Sequence, residues 1–525
     1  MTSRLALFCL PLIGWLPACQ WNVGKLDIRL VYGANTAQHP LDKNLVKTLR
    51  IRIEGQGMDA LLEEFANTSG EAKVLSGVPV GSSRRVVVEG LDAFGTVASR
   101  GVAPEVAIED GQNDLYLFIG RVDQFSEPPS VVASSEPAWE ARYSTRLSER
   151  RVFHSATLLP DGEVLIAGGT TSPNPADFLG RVDAQGANRN AERLDPVAGA
   201  FLKESQPAGC LSGGAHCLQT GRAFHGAELL PDGTHVLLIG GEPIGATPTA
   251  EFYDIAGGTF GSSEGPKQAR SRHASVSLQG AKKGVFIAGG STSVASERLD
   301  SVEWFQGGTF EELVGTPLSQ PRTGAVAVAV QDGVLVVGGW AQWEPQRQAS
   351  ASVDFFDFQG DPPLLTSFSL VRARAEHTAV ALSKGPSDSA KVLVCGGLSS
   401  PTALVDTCEI LDPRAGIAQE IGGIQIPRWR HTATVLQDGR VLLSGGFSTV
   451  GPSMTAYKTA VLWNEPLTSL TRQVIPMVSH RAGHTATLLQ NGMVLLVGGL
   501  SVLDITGAQS FFTMADQDYE IFDPR

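Results

Sequence analysis

Seven times in the chain an apolar run ends in two glycines: VLIAGG at Gly168-Gly169, VLLIGG at Gly240-Gly241, VFIAGG at Gly289-Gly290, VLVVGG at Gly338-Gly339, VLVCGG at Gly396-Gly397, VLLSGG at Gly445-Gly446 and VLLVGG at Gly498-Gly499. Successive pairs lie 72, 49, 49, 58, 49 and 53 residues apart, the first interval being stretched by a long insertion. Each unit opens with a strand such as HTATLL, turns at PDG, QDG or QNG, and returns through the Gly-Gly strand. Asp-Gly and Asn-Gly are favoured hairpin corners because glycine accepts positive φ without steric cost. A third strand follows each pair: AERLDP, AEFYDI, SVEWFQ, SVDFFDF, TCEILDP, TAVLWNEP and DYEIFDP. The 59 glycines and 30 prolines suit a chain with this many turns. One such unit cannot bury its own apolar faces, so neighbours must stack.

A period near 50 with about four short strands per unit reads as a propeller. From Trp139 to Arg525 these landmarks resemble kelch-repeat proteins, which implies an all-β fold with a seven-bladed kelch-like β-propeller at residues 139–525. Three departures stand out: repeat four (PRTGAVAVAV) lacks a histidine, repeat one carries the insertion, and the Trp expected after the third strand is often replaced. The final repeat stops after its third strand. The segment Ala138 to Leu147, AWEARYSTRL, precedes the first repeat and has no unit of its own. We expect it to supply the outer strand of the last blade, which would close the ring and cover two open sheet edges.

Residues 1–19 differ from the rest. Arg4 gives a positive start, and LALFCLPLIGWLPA is apolar but too short and Pro-interrupted to span a bilayer. The stretch ends LPAC and resembles a bacterial lipoprotein signal peptide with its lipobox, which implies lipidation of Cys19. Gln20 after it implies, by the same resemblance, the outer membrane. Residues 20–125 carry near period-two stretches, among them TLRIRIEG, in which Leu49, Ile51 and Ile53 share one face. They predict a small β-sandwich of immunoglobulin-like type, without the Cys…Trp…Cys spacing of a true immunoglobulin domain. Residues 126–138, rich in Pro and Ser, read as a linker. With export the remaining cysteines Cys210, Cys217, Cys395 and Cys408 can form two disulfides, in any of three connectivities. A zinc reading of Cys210, His216 and Cys217 lacks a second ligand pair.

The motif Arg-x-x-His recurs as Arg151/His154, Arg222/His225, Arg270/His273, Arg374/His377, Arg428/His431 and Arg481/His484, while repeat four has Arg322 followed by Ala325. A catalytic pair is needed once; a periodic one points to a structural part, hydrogen-bonding backbone groups between neighbouring blades. Two enzyme classes share this architecture by resemblance. Copper radical oxidases similar to galactose oxidase use two tyrosines and two histidines around copper, with one histidine from a domain after the propeller. Here Tyr143, Tyr253, Tyr457 and Tyr519 lie in or beside the repeats and none precedes a histidine. Sialic-acid mutarotases need a general acid/base, for which Glu163, Glu242, Glu251 and Glu376 are available. Trp340 and Trp343, just past a Gly-Gly pair, are candidates for sugar stacking or a protein hot spot, or for packing between blades.

No phosphate-binding loop, dinucleotide fingerprint, HExxH or GxSxG motif stands in a usable context. A net charge of -13 argues against nucleic-acid binding. The reading is an exported lipoprotein, a monomer held to the membrane through lipid alone. It binds a protein or glycan partner at the cell envelope with no catalytic residue, metal or cofactor assigned. The alternative is a carbohydrate-active enzyme on the same propeller.

Overall fold

The computed structural model describes residues 23–33, 39–67, 73–129, 137–172, 186–205, 210, 217–245, 249–279, 282–292, 297–331, 333–342, 347–360, 362–382, 391–423, 427–449, 453–464, 471–504 and 511–524. Cys19 and Trp343 lie outside them, as does most of the 126–138 stretch. The structure is nearly all β and propeller-like. The repeats form seven consecutive antiparallel sheets of four or five strands. Their first strands are Ser155–Leu158, Gly226–Leu229, Ala274–Leu278, Val326–Val330, Thr378–Leu382, Thr432–Val435 and Thr485–Leu488. Each lies beside the first strand of the next sheet, and the seventh lies beside the first, so these inner strands surround a central channel.

Both faces of each sheet meet a neighbour, which is why the second strands are predominantly apolar. In VLIA at Val164–Ala167 every residue is buried, and the same holds at Val441–Ser444 and Val494–Val497. The Gly-Gly pairs have a specific task. All fourteen residues have positive φ, and a Cβ on the first glycine of a pair would strike the carbonyl oxygen of the next repeat's arginine, as on Gly289, 2.6 Å from that of Arg322. That close approach lets the second glycine's N–H donate to the carbonyl of the next repeat's arginine: Gly169 to Arg222 at 2.8 Å, Gly397 to Arg428 at 3.0 Å, and finally Gly499 back to Arg151 at 3.1 Å. The circle of main-chain bonds is complete.

The strand that completes the last sheet is not the expected one. Gln124–Ser126 pairs with Tyr519–Asp523, and Phe125, 1% exposed, packs on Phe522 with ring centroids 4.9 Å apart. The segment expected there instead forms a short helix, Pro137–Arg142, and a strand, Tyr143–Ser144, that adds a fifth strand to the first sheet. The reason is aromatic packing: Trp139 and Tyr143 are buried together in the core of the first sheet. Closure therefore comes from the end of the N-terminal unit, and the expected boundary at 125/126 cuts through the closing strand.

That N-terminal unit consists of a three-stranded and a five-stranded sheet around one core, which includes Leu26, Ile28, Leu49, Ile51, Ile53, Val86 and Leu117. It sits against the hairpin end of the repeat region. Phe118 donates its N–H to Val197 at 2.6 Å, Arg440 of the sixth sheet's first hairpin approaches Asp123, and Arg100 pairs with Asp523 and with the Pro524 carbonyl. Strand Val23–Val31 joins this contact through Val31 and carries Val23 at its other end.

Candidate functional site at the channel mouth

Each recurrent arginine is fully buried, and in six of the seven repeats it meets an acid from the third strand; of these acids the sequence reading singled out Glu251 alone, as an acid/base candidate. Arg151 meets Glu192 at 2.5 Å, Arg322 meets Asp354 at 2.6 Å, Arg374 meets Glu409 at 2.5 Å and Arg481 meets Glu520 at 2.6 Å; Arg222 pairs with Glu251 and Arg270 with Glu303. The acid comes from the third strand of the same sheet, and it also accepts backbone N–H groups, as Glu409 does from Val371 at 2.7 Å and Arg372 at 3.1 Å. The guanidinium caps the first Gly-Gly carbonyl of its own sheet as well, for example Arg374 to Gly396 at 3.0 Å. The arginine side chains thus brace one sheet internally, not two sheets against each other; the arginine carbonyls make the link between sheets. Repeat six departs: Val461 stands where the acid would be, and Arg428 lies over the Tyr457 ring at 4.9 Å. Burial, eased by Tyr457, lowers its pKa to about 10.

The histidines do bridge neighbours. His154 Nε2 meets Thr485 Oγ1 at 3.0 Å, His225 meets Ser155 at 2.9 Å, His431 meets Thr378 at 2.9 Å and His484 meets Thr432 at 3.2 Å. In each case the partner is the residue after the preceding repeat's histidine; His484 Nε2 also lies 3.3 Å from Ser444 Oγ. Where that residue is Gly226 or Val326, His273 and His377 have no ring partner among the described residues. Burial holds all six rings neutral, with His154, His273 and His377 pushed down to about 3.

The residue just before each histidine builds the site. Phe153, Phe224, Arg272, Glu376 and Arg430 have φ between 50° and 59°, and Gly324 and Gly483 occupy the same place in repeats four and seven. These seven residues circle the axis. Phe224 N–H donates to Phe153 at 3.1 Å, Arg272 to Phe224 at 3.0 Å, Gly324 to Arg272 at 2.7 Å, Arg430 to Glu376 at 3.0 Å, Gly483 to Arg430 at 3.0 Å and Phe153 to Gly483 at 3.4 Å. No such bond joins Glu376 to Gly324 among the described residues, so the ring is interrupted at repeat four.

Its side chains form one stack. The rings of Phe153 and Phe224 lie 4.1 Å apart, with Arg272 over Phe224 at 3.6 Å and Arg430 over Phe153 at 4.6 Å. Arg272 reaches Glu242 at 2.8 Å and Arg430 reaches Glu376 at 2.8 Å. Burial alone would raise the Glu376 pKa, but Arg430, Arg272 and the Trp340 indole N–H outweigh it and leave it below the usual value. Trp340 is 1% exposed and donates to Glu376 at 3.1 Å, so it offers no open face for stacking; its part is to hold Glu376. Phe153, Phe224 and Arg272 remain half-buried at the mouth.

The other residues singled out from sequence are placed as follows. Cys210 is bonded to Cys217, and Cys395 to Cys408 across two paired strands. Glu163 lies near the first hairpin against Arg193, and Glu251 is the structural partner of Arg222. Glu242 and Glu376 are the two of that set that reach the ring.

No family model and no curated protein matches the chain. Among solved structures it resembles a fungal alcohol oxidase of the AA5 family, solved in complex with copper, at 17% identity and a TM-score of 0.52, over 72% of this chain and 75% of that one. The likeness concerns the fold. The residues at the mouth do not fit a copper radical site. Phenylalanines stand before His154 and His225, and the partnered imidazoles are committed to hydroxyls. Two guanidinium groups stack on those phenylalanines, where they would repel a cation. Among the described residues no group of three or more His, Cys, Asp or Glu is arranged to hold a metal ion.

Proposed function

We propose that this is an exported, lipid-anchored protein, a seven-bladed kelch-type propeller on a small immunoglobulin-like sandwich, that binds a protein or glycan partner through the ring at the channel mouth without catalysing a reaction. The observation that carries the reading is the left-handed backbone under five non-glycine side chains. Each costs about 1–3 kcal/mol relative to a relaxed conformation, and such outliers concentrate where a side chain must be presented to something. Repeats four and seven show that glycine serves the fold at this place, so Phe153, Phe224, Arg272, Glu376 and Arg430 supply more than architecture. Stacked aromatic faces flanked by guanidinium groups suit sugar rings and the aromatic or acidic anchors of proteins.

The anchor reading rests on LPAC. Among the described residues no helix is long and apolar enough to cross a membrane; the reading puts attachment on a lipid at Cys19. The N-terminal unit packs on the hairpin end of the sheets, opposite the ring, and Val23 lies at the strand end away from that contact. An anchor four residues before Val23 leaves the ring facing away from the bilayer.

Glycan-array and pull-down binding by the purified chain tests the first part. Phe153→Gly and Phe224→Gly, which adopt the residue of repeats four and seven, are expected to fold normally and lose at least tenfold in binding. Unchanged binding would sink the assignment to the ring. Metabolic lipid labelling is expected to vanish in Cys19→Ala; persistent labelling removes the anchor. The second reading, a carbohydrate-active enzyme, has in its favour that an alcohol oxidase shares the fold. Stoichiometric copper in the purified protein would overturn the non-catalytic reading.

A further inference from the structure

The seven inner strands are near-copies of one another, which makes each a control for the rest. Counting from the histidine position, the second residue on is Ala in six strands (Ala156, Ala227, Ala327, Ala379, Ala433, Ala486) and Ser275 in one. The third is Thr or Val in six and Glu228 in one; Glu228 is the one charged residue on these strands. The fourth is aliphatic in six and Ser277 in one. The first is Ser, Ala, Val or Thr in six and Gly226 in one. All four departures fall between the second and third sheets.

They also touch. Ser275 Oγ donates to Glu228 Oε1 at 2.7 Å, and Ser277 N–H donates to Oε2 at 3.1 Å. A Cβ on Gly226 would lie 2.6 Å from Ser275 Oγ and 2.8 Å from His273 Nε2, so glycine is what leaves room for both. Neither ring nitrogen of His273 has a hydrogen-bond partner among the described residues. Glu228, His273, Ser275 and Ser277 are all half-buried on the channel wall. Burial raises the Glu228 pKa against the pull of Ser275 and Ser277. At repeat four a Cβ on Gly324 would have only Trp340 Cδ1 near it, at 3.8 Å, and Ala325 replaces the imidazole.

We propose that Glu228, Ser275, His273 and Ser277 form a second site, inside the channel, for a small neutral polyhydroxylated molecule, a free sugar. The chemistry is a mixture of donors and acceptors: a carboxyl group, two hydroxyls and an imidazole that donates at one nitrogen and accepts at the other. That set matches sugar hydroxyls, which also do both. It suits neither a phosphate nor a metal ion. A carboxyl group placed where six sister strands put Thr or Val costs stability, and a polar cluster kept against that cost is the mark of a binding site.

The repeats supply the test variants. Ser275→Ala and Glu228→Val install the residues of the sister strands. Saturation-transfer NMR and calorimetry on the purified full chain with glucose, galactose and N-acetylglucosamine are expected to show binding of at least one. Affinity should fall at least tenfold in both variants, and both should melt at or above the wild-type temperature. Phe224→Gly should leave this binding intact. Absence of binding by all three sugars, binding unchanged in both variants, or variants that melt lower would each overturn the proposal. Sugar binding lost in Phe224→Gly but kept in the two channel variants would place the sugar at the mouth, overturning this site while leaving the ring reading standing.

Discussion

Between pH 7 and pH 5 the protein is expected to lose stability steeply, with unfolding taking up several protons. Six histidines, four buried and two half-buried, are held neutral in the fold, three of them with pKa values near 3 and three well below the ordinary value, desolvation being the leading cause in each. Adjacent arginines add to the depression: Arg151 and Arg481 act on His154, Arg374 and Arg322 on His377. In the unfolded chain each titrates near 6.5. A folded pKa below the unfolded one means that the native state binds fewer protons. The stabilisation is therefore complete above pH 6.5 and drains away as pH falls toward 3. From pH 7 to 5 the loss is about 2 kcal/mol per ring, or about 8 kcal/mol for the four rings exposed by 7% or less, His154, His377, His431 and His484. Asp523 and Glu163, whose pKa values burial raises to about 7, work in the opposite sense and return about 2 kcal/mol each. The net slope remains a loss of stability with acid. Urea midpoints measured across this range should fall continuously, and replacing His431 or His484 by Ala, the residue of repeat four, should remove about one proton each from the slope. A midpoint that stays level from pH 7 to 5 would show that these rings are not held neutral by the fold.

How much of this was legible beforehand varies by residue and for physical reasons. The repeat period and the Gly-Gly pairs are visible because a tight turn and a close backbone approach admit so few residue types. Glu192, Glu251, Glu303, Asp354, Glu409 and Glu520 stood in plain view within the third-strand segments, yet a charge in an alternating strand ordinarily faces water. Here both faces of every sheet are covered by neighbours, so the same pattern marks a buried ion pair. An acid recurring at the same place in each third-strand segment was the available signal, and Val461 its one exception. The ring residues Phe153, Phe224, Arg272, Glu376 and Arg430 share no side-chain chemistry, so matching repeats discards them. What they share is a backbone conformation, and Gly324 and Gly483 were its trace in the sequence. The closing strand Gln124–Ser126 is three residues long and sits just before Pro128 and Pro129, too little for a periodic pattern to register. AWEARY offered more strand-like aromatic character, but its Trp139 and Tyr143 find their cavity on the first sheet.

Replacing Arg374 by Met is expected to cost about 3–5 kcal/mol, because it leaves Glu409 as an unpaired charge in a site from which water is excluded. Arg374 and Glu409 are both fully buried, 2.5 Å apart, and the arginine's other donors hold the Gly396 and Thr407 carbonyls, each at 3.0 Å. Repeat six performs the complementary experiment. Arg428 caps the Gly445 and Thr459 carbonyls at 2.8 and 3.1 Å and has Val461 where the other repeats have a third-strand acid, so Arg428→Met strands no third-strand carboxylate and is expected to cost about 1–2 kcal/mol in lost hydrogen bonds. The double variant Arg374→Met/Glu409→Val removes both charges and installs the residue of repeat six, and it should recover most of the loss. The free energies come from urea unfolding of the three variants against the parent chain. If Arg374→Met and Arg428→Met cost the same, the carboxylate is not what makes the arginine indispensable and the capped carbonyls are. If the double variant is no better than Arg374→Met, the pair is there for the shape of the arginine rather than for its charge.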